Sequence, residues 1–391
     1  QRTSVTDAEL NQMKSIFHEG MQAGAFGFST NKNMEDRPED GSYLPSHVAS
    51  DEEYLALSEV LGQFGVGHIG WTIGSGHTSE NRARQRELLS KMMRLSGRPL
   101  HVVLDDEGFN WLETARDEGL PVVAQQISVP TDAEFKLAEY NLFDYMPHWV
   151  QPLVGSPEER LAKLSEDGVR KGMREDVLAF PHPRTNWQRV KVVETAFERN
   201  YKYEGLTIDE IAVSEKKEPL DVFLDLALDE DLETTFVHPI ESHDETARLS
   251  RILNPYTHIS ASDGGAHTRF LTISLWPVHF LSHWVRDKGI MTVEQAHYKM
   301  SAYPAWFADF KGRGTVRVGN WADIIVYNME ELGNLYERPI FDTDFPGGER
   351  RLVQRPKGLR YTIVNGSVTF QDNECSNALP GKLLRSYDMT S

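Results

Sequence analysis

One short segment of the chain reads Tyr256-Thr257-His258-Ile259-Ser260 and continues, after Ala261, as Ser262-Asp263-Gly264-Gly265-Ala266-His267. The first part is typical of a buried strand, and the two glycines predict a sharp turn at its end, because glycine adopts backbone conformations that other residues avoid. A charged group in a dry interior is costly unless it is paired or coordinated, so Asp263 is a candidate for metal binding or proton transfer. The alternative is an Asx turn, in which Asp263 bonds to its own backbone. The segment alone does not decide between a functional Asp263 and an Asx turn.

Length and charge narrow the class of protein. The 391 residues are enough for a barrel of about 250 residues with additions. The 59 acidic and 41 basic residues give a formal charge of -18, which disfavours nucleic acids and anionic membranes as partners. No run approaches the roughly 18 uninterrupted apolar residues of a membrane span. A single cysteine, Cys375, and the lack of a signal-peptide pattern lead us to expect a cytoplasmic protein without disulfides.

Predicted strands and helices alternate along much of the chain, which indicates a parallel α/β fold. The strands are short apolar runs, as expected for a sheet that is buried on both faces. The predicted strands are a short apolar run within 23–30, then 65–70, 98–104, 120–127, 234–239 and the run that ends at Asp263. The predicted helices are 7–21, 51–64, 79–95, 109–118, 219–229, 244–253, 277–288 and 292–299.

Two regions break this alternation. Residues 131–215 are rich in Pro, Trp and charge, and we predict an excursion of helices and loops that covers one end of a barrel. Residues 321–327 and 361–370 are β-rich, and Asn365-Gly366 within the second is a hairpin signal.

Further segments, in their order and spacing, resemble the amidohydrolase superfamily, in particular its branch of N-acyl-D-amino-acid deacylases (D-aminoacylases). Together with the 262–267 motif they are Ala23-Gly24-Ala25-Phe26-Gly27-Phe28-Ser29-Thr30, His283-Trp284-Val285-Arg286-Asp287, Gly312-Arg313-Gly314, Gly319-Asn320-Trp321-Ala322-Asp323-Ile324, Phe345-Pro346-Gly347-Gly348 and Val364-Asn365-Gly366.

The resemblance implies an α/β fold, a TIM-like (β/α) barrel over residues 1–312, with the insertion at about 131–215 and a small β-rich domain at 313–391. It also implies a divalent metal cofactor, one or two ions and usually zinc, that activates a water molecule. Asp263 would be the general base and a metal contact. His267 would orient Asp263, contact substrate, or only cap the following helix.

The resemblance implies histidine metal ligands as well. His68 matches the ligand of the fifth strand, although a polar strand-end residue is the alternative. The sixth-strand histidine is absent, so Asp105 or Asp106 would replace it, or would simply begin the next loop. His238 ends a strand that we expect to face the active site. The His-x-His pair of the first strand has no counterpart, so we expect the chain to be a fragment that associates with an upstream segment.

Other side chains are weaker candidates. His243 follows His238 in its loop. His279 and His283 share one helix face and are expected to pack and to form hydrogen bonds. The remaining candidates lie in the insertion and would either shape a substrate pocket or pack: Trp149, Arg184 and Trp187.

The leading hypothesis is a metal-dependent hydrolase of a non-peptide C–N bond, with an N-acyl-D-amino acid as its small-molecule substrate. One alternative is a formamide or cyclic-amide hydrolase of the same superfamily. Another is a catalytically silent relative that acts as a binding or scaffold protein. The sequence leaves the oligomeric state open.

Overall fold

The computed structural model describes residues 4–32, 38, 40–73, 78–139, 142–143, 145–179, 183–239, 244–262 and 264–389. The strands are β1 Gly27–Asn31, β2 His68–Thr72, β3 Leu100–Val103, β4 Val122–Gln126, β5 Asp132–Phe135, β6 Lys191–Glu194, β7 Thr235–Pro239, β8 Thr257–Ile259, β9 Ile324–Tyr327, β10 Gly333–Asn334, β11 Ile340–Asp342, β12 Arg351–Val353, β13 Pro356–Lys357, β14 Leu359–Val364, β15 Ser367–Gln371 and β16 Glu374–Cys375.

The α-helices are α1 Asp7–Gln22, α2 Pro45–Val48, α3 Asp51–Gly62, α4 Ser79–Ser96, α5 Asp106–Asp117, α6 Pro147–Val150, α7 Pro157–Leu164, α8 Asp167–Ala179, α9 Ile208–Glu215, α10 Pro219–Asp229, α11 Glu245–Leu253, α12 Trp276–His279, α13 Val293–His297 and α14 Tyr303–Phe307. Wider π-helical turns continue α12 over Phe280–Asp287 and α13 over Tyr298–Ala302. The 3₁₀ turns are Gln151–Leu153, Pro183–Thr185, Glu198–Tyr203 and Ser386–Met389.

The central element is a five-stranded parallel sheet in the order β1-β2-β3-β4-β8. Successive residues of a strand point to opposite faces, so one face is lined by every second side chain. Ile69 and Trp71 of β2 and Leu100 of β3 point to the outer face and are at most 3% exposed. They pack in one apolar cluster with residues of α3, α4 and α5.

Local signals set the helix boundaries around this sheet. Ser50 and Glu53 form a capping box at the start of α3, each side chain bonding to the other residue's backbone N–H. Helix α4 ends at Gly97, whose φ of 63° is left-handed and favours glycine. The predicted helices at 51–64 and 79–95 are therefore confirmed to within about two residues at each end.

The strand predicted at 234–239 lies outside the central sheet, so its expected place in the parallel barrel sheet is wrong for this structure. β7 is instead the middle strand of an antiparallel sheet ordered β5-β7-β6. The prediction for 131–215 is wrong in one respect, because this region contributes two strands as well as helices and loops. Strand pairing depends on a partner far along the chain, which local composition does not identify.

An apolar core covers one face of the antiparallel sheet. Its largest fully buried side chains are Phe143, Trp149, Phe223 and Phe236. Aromatic packing is dense, with the rings of Phe143 and Trp149 4.5 Å apart and those of Phe223 and Phe236 4.6 Å apart. Trp149 therefore serves packing in the insertion.

The last part of the chain is β-rich, as predicted. Strands β16-β15-β14-β9 form an antiparallel sheet, and β14 and β15 are joined at Asn365-Gly366. Both turn residues have positive φ, 47° and 82°, as a two-residue hairpin turn requires. Within the described ranges, every helix is too short or too polar to cross a membrane.

Candidate functional site

The loop that carries the 262–267 motif leaves the carboxyl end of β8. The chain passes through Ala261, whose φ of 87° is rare for a residue with a side chain. Such backbone strain persists only where the surrounding structure holds it, and it often accompanies functional sites. Asp263 itself lies outside the described residues, so its predicted role stays a prediction.

The segment after Asp263 is a compact turn. The amide of Ile273 donates to the carbonyl of Ser262 at 3.1 Å and closes the loop at its base. The carbonyl of His267 accepts from the amides of Phe270 and Leu271, both at 2.9 Å. The His267 ring is partly exposed and lies 5.0 Å from the ring of Phe270. The His267 backbone carbonyl thus stabilises the turn, while part of the imidazole is exposed to solvent.

His68 lies at the other end of the central sheet. It is the first residue of β2 and pairs with Gly27, the first residue of β1, whereas the loop that carries residues 262–267 follows the last residue of β8. Its ring packs 4.9 Å from Phe307, and burial lowers the pKa of the imidazole. The structure does not bring His68 to the carboxyl edge of the sheet, where parallel α/β folds place their active sites.

Two histidines that the sequence analysis did not select lie on the same face as His68. The rings of His101 in β3 and His258 in β8 stack at 4.7 Å, and both lie within 6.4 Å of the Phe307 ring. Within the described part of the chain, His101 Nε2 and both ring nitrogens of His258 form no hydrogen bond. Burial, and secondly His68, lower the pKa of His101 to about 4, and burial, and secondly His101, lower the pKa of His258 to about 3. Both imidazoles are therefore neutral at physiological pH.

The signal for this pair was present in the sequence. His101 stands between Leu100 and Val102, and in a strand such alternation turns His101 to the face opposite its apolar neighbours. The stacking of His101 on His258 depends on strand β4, which lies between β3 and β8. His101 of β3 pairs with Val123 of β4, and His258 of β8 pairs with Gln125 of β4.

His238, the other predicted ligand, belongs to the antiparallel sheet. Its side chain is completely buried beside Phe135, with ring centroids 5.6 Å apart, and its Nδ1 donates to the carbonyl of Pro239 at 3.0 Å. Burial, and secondly the nearby Arg184 guanidinium, lower the pKa to about 4. His238 and His68 thus occupy different sheets and have different neighbours.

Asp105 and Asp106 begin a helix. The Asp105 carboxylate accepts the amide of Gly108 at 2.8 Å as the N-cap of α5, and Arg82 Nε lies 2.8 Å from it. Asp106 pairs with Arg251 at 2.6 Å. Asp105 and Asp106 thus begin a helix and not the expected loop, and a metal-binding role for either of them stays a prediction.

The remaining candidates serve packing and hydrogen bonding. His279 stacks on His283 at 4.9 Å, and His283 Nε2 lies 2.8 Å from a Glu245 oxygen. Trp187 packs 5.3 Å from Phe223, and Arg184 donates to the carbonyl of Leu142 at 2.6 Å. His243 lies outside the described residues.

A bound zinc ion needs three or four donors about 2 Å from one point. Among the residues that the structure describes, no three His, Cys, Asp or Glu side chains are arranged to hold a metal ion. The described residues alone therefore do not fit the metal centre that the resemblance implies, and we derive no chemical step through a metal.

The amidohydrolase family model matches residues 1–370. The chain belongs to the amidohydrolase family. It is similar to the D-aminoacylase of Alcaligenes xylosoxydans xylosoxydans, with 22% identity over 353 residues that cover 86% of this chain and 66% of the relative. The chain thus spans just under two thirds of that relative's length.

Solved structures agree on the fold of this amidohydrolase. A crystal structure of D-aminoacylase matches 96% of this chain and 66% of its own length, with a TM-score of 0.57 and 18% identity. N-acyl-D-glutamate deacylase from Bordetella bronchiseptica, solved with zinc and a phosphonate inhibitor, matches 98% of this chain and 67% of its own, with a TM-score of 0.57 and 19% identity. The predicted fold class, α/β of the TIM-like barrel type, and the D-aminoacylase-like branch are confirmed.

Proposed function

We propose that this amidohydrolase hydrolyses a non-peptide C–N bond and that its substrates are N-acyl-D-amino acids. The observation that carries the proposal is the family match together with the position of the 262–267 motif, directly after a strand of the parallel sheet. Loops at that edge of the sheet carry the reactive groups in folds of this class. The similarity to a D-aminoacylase supports the choice of substrate.

In this proposal Asp263 moves the proton. Its carboxylate takes a proton from the attacking water and delivers it to the departing amine, which is the work of a general base and then a general acid. His267, four residues further on, contacts the substrate or orients Asp263. The family resemblance implies a divalent metal, usually zinc, but the described residues do not supply its ligands, so the proposal assigns no step to it. The proposal does not use His68 and His238 as ligands of one ion, because they lie in different sheets.

The proposal extends to location and partners. The protein would act on a small molecule in the cytoplasm, without nucleic acid or membrane as a partner. The excess of acidic over basic residues, 59 to 41, supports the exclusion of nucleic acids and anionic membranes as partners.

The test compares Asp263→Asn with Asp372→Asn on a panel of N-acetyl-D- and N-acetyl-L-amino acids. Asp372 is a matched control because it lies in the β15–β16 turn with a left-handed φ of 46°, which Asn tolerates. We expect cleavage of the D-isomers, at least a 100-fold loss of kcat in Asp263→Asn, and near wild-type activity in Asp372→Asn. Metal analysis of the purified protein should find zinc, manganese or iron above background.

Three outcomes contradict the proposal. Cleavage of formamides or cyclic imides instead of the D-isomers would make the alternative hydrolase correct. Cleavage of no substrate by a metal-free protein would favour a binding or scaffold role. Wild-type turnover in Asp263→Asn would remove Asp263 from the mechanism.

A further inference from the structure

A two-stranded hairpin late in the chain packs against the loop that follows Asp263. β11 and β12 pair antiparallel, with Phe341 opposite Leu352, and they form a sheet of their own. Leu352 and Val353 are 4% and 5% exposed, so β12 is buried although it lies in a small sheet. We call residues 264–275 the motif loop and residues 340–354 the clamp hairpin.

Three polar contacts join the two segments. The amide of Leu352 donates to the carbonyl of Thr268 at 2.6 Å. The guanidinium of Arg269 donates to the Glu349 carboxylate at 2.7 Å. The amide of Leu275 donates to the side-chain carbonyl of Gln354 at 3.1 Å. The contacts thus hold the motif loop near its middle and at its far end.

These contacts differ in strength. Arg269 and Glu349 are both more than half exposed, so their ion pair contributes little. The Leu352 bond joins two backbones and is shielded by the buried β12. Gln354 is half-buried and satisfies the amide of Leu275, the residue before α12, which has no cap from its own side chain.

The motif loop depends on such outside contacts. The local backbone bonds among the described residues of 262–276 are few: two to the carbonyl of His267, one from Ile273 to Ser262, and one from Trp276 to Ile273 at 2.9 Å. A loop with so little regular structure opens readily unless other parts of the protein hold it. The base of the loop is next to Asp263 in the sequence, so movement of the loop would displace the group that must meet the substrate.

We propose that the clamp hairpin positions the motif loop for catalysis, with Gln354 as a positioning residue that acts through the amide of Leu275. The inference rests on the proposed function. Small displacements of reacting groups are expensive, since a shift of about 1 Å caused by a distant mutation costs roughly 100-fold in rate. The clamp hairpin therefore contributes to kcat without touching substrate.

The test uses Gln354→Met, which keeps the length of the side chain and removes the acceptor, and Gln354→Glu, which restores an acceptor oxygen. Gln371→Met, on exposed β15, is the matched control. For Gln354→Met we expect kcat to fall roughly 10-fold or more with KM changed less than about twofold. Gln354→Glu should recover most of the lost rate, and Gln371→Met should behave as wild type. Hydrogen exchange across 264–275 should be faster only in Gln354→Met.

The two measurements separate the inference from the proposed function. If the wild-type protein cleaves none of the substrates, the proposed function fails, and hydrogen exchange alone then decides whether the hairpin holds the loop. Wild-type exchange across 264–275 in Gln354→Met would overturn the inference. So would an equal loss of kcat in Gln354→Met and Gln354→Glu, because Glu keeps the acceptor oxygen that Met removes.

Discussion

The Asp176 carboxylate accepts two hydrogen bonds from His148, one from its backbone N at 2.6 Å and one from Nδ1 at 2.7 Å. Asp176 is 4% exposed, whereas the His148 side chain is about half exposed. The contact joins α6 to α8 across the insertion. It requires Gly172, because a Cβ there would lie 2.8 Å from the His148 ring. This half-exposed histidine is thus paired with a buried carboxylate.

The His148–Asp176 pair should make stability depend on pH. The hydrogen bond to Asp176, and then its charge, raise the pKa of His148. A raised folded-state pKa contributes stability that is complete below the unfolded pKa of about 6.5 and is lost as pH rises through the folded value. His148→Asn keeps a donor but not the charge. We expect its deficit in unfolding free energy to be largest near pH 5.5 and to shrink by pH 9, as measured by urea unfolding.

Asp176→Asn is the control background for that experiment. In this background, His148→Asn should have the same effect at both pH values, because the charged partner is gone. A deficit that does not change with pH in the wild-type background would contradict the assignment.

His238 should destabilise the protein in acid. Its pKa, lowered to about 4 mainly by burial, lies below the unfolded value, so its stability contribution is complete above about pH 6.5 and is lost as pH falls toward 4. His238→Phe keeps a ring beside Phe135 and cannot take up a proton. Between pH 7 and pH 5 the variant should lose about 2 kcal/mol less unfolding free energy than wild type. Parallel pH profiles, measured by chemical denaturation, would show that His238 does not titrate in this way.

Gly27 is required where β1 meets β2. Its φ is 115°, and a Cβ at this position would lie 1.9 Å from the carbonyl oxygen of His68. Because that atom belongs to a paired strand, it cannot move aside cheaply. We expect Gly27→Ala to cost roughly 3 kcal/mol or more in unfolding free energy.

Gly65→Ala is the matched control for that substitution. Gly65 also has a positive φ, 65°, but a Cβ there has nothing within 4 Å. Gly65→Ala should cost only about 1 kcal/mol of unfolding free energy, from backbone strain alone. Equal losses in the two variants would mean that the contact with His68 does not matter.

Glu230 is a buried carboxylate that organises a turn. It is fully buried and accepts hydrogen bonds from the backbone amides of Ala196 and Phe197 and from the Asn200 side chain at 2.6 Å. Glu230→Gln turns one acceptor into a donor that faces these donors. We expect Glu230→Gln to lose roughly 2–4 kcal/mol of unfolding free energy, as measured by chemical denaturation. Glu198→Gln removes the same charge at an exposed position nearby and should change thermal stability little; a similar loss there would point to net charge instead.

Local signals predicted the helices well. Thr292 with Gln295, and Ser50 with Glu53, form capping boxes where helices were expected to begin. The helix at Pro219–Asp229 has the predicted bounds, and the Asn365-Gly366 turn joins the predicted strands. These features depend on residues a few positions apart, so the sequence carries them directly.

The antiparallel sheet, the stacked His101 and His258, and the contact between Leu352 and Thr268 could not be predicted in this way. Each joins residues far apart in the chain, 84 positions in the last case (352 minus 268). Which apolar faces are buried together decides such pairings, and several partners satisfy the same local pattern.

The sequence by itself determined the family, the alternation of helices and strands, and the order of the motifs, because these depend on short-range spacing. Only the tertiary structure decided that β7 leaves the parallel sheet and that His68 lies at the end of the sheet opposite to the motif loop. It also decided that the clamp hairpin, which begins 65 residues after the motif loop ends (340 minus 275), contacts that loop. The physical reason is that burial and hydrogen bonding between distant segments are settled jointly when the whole chain packs.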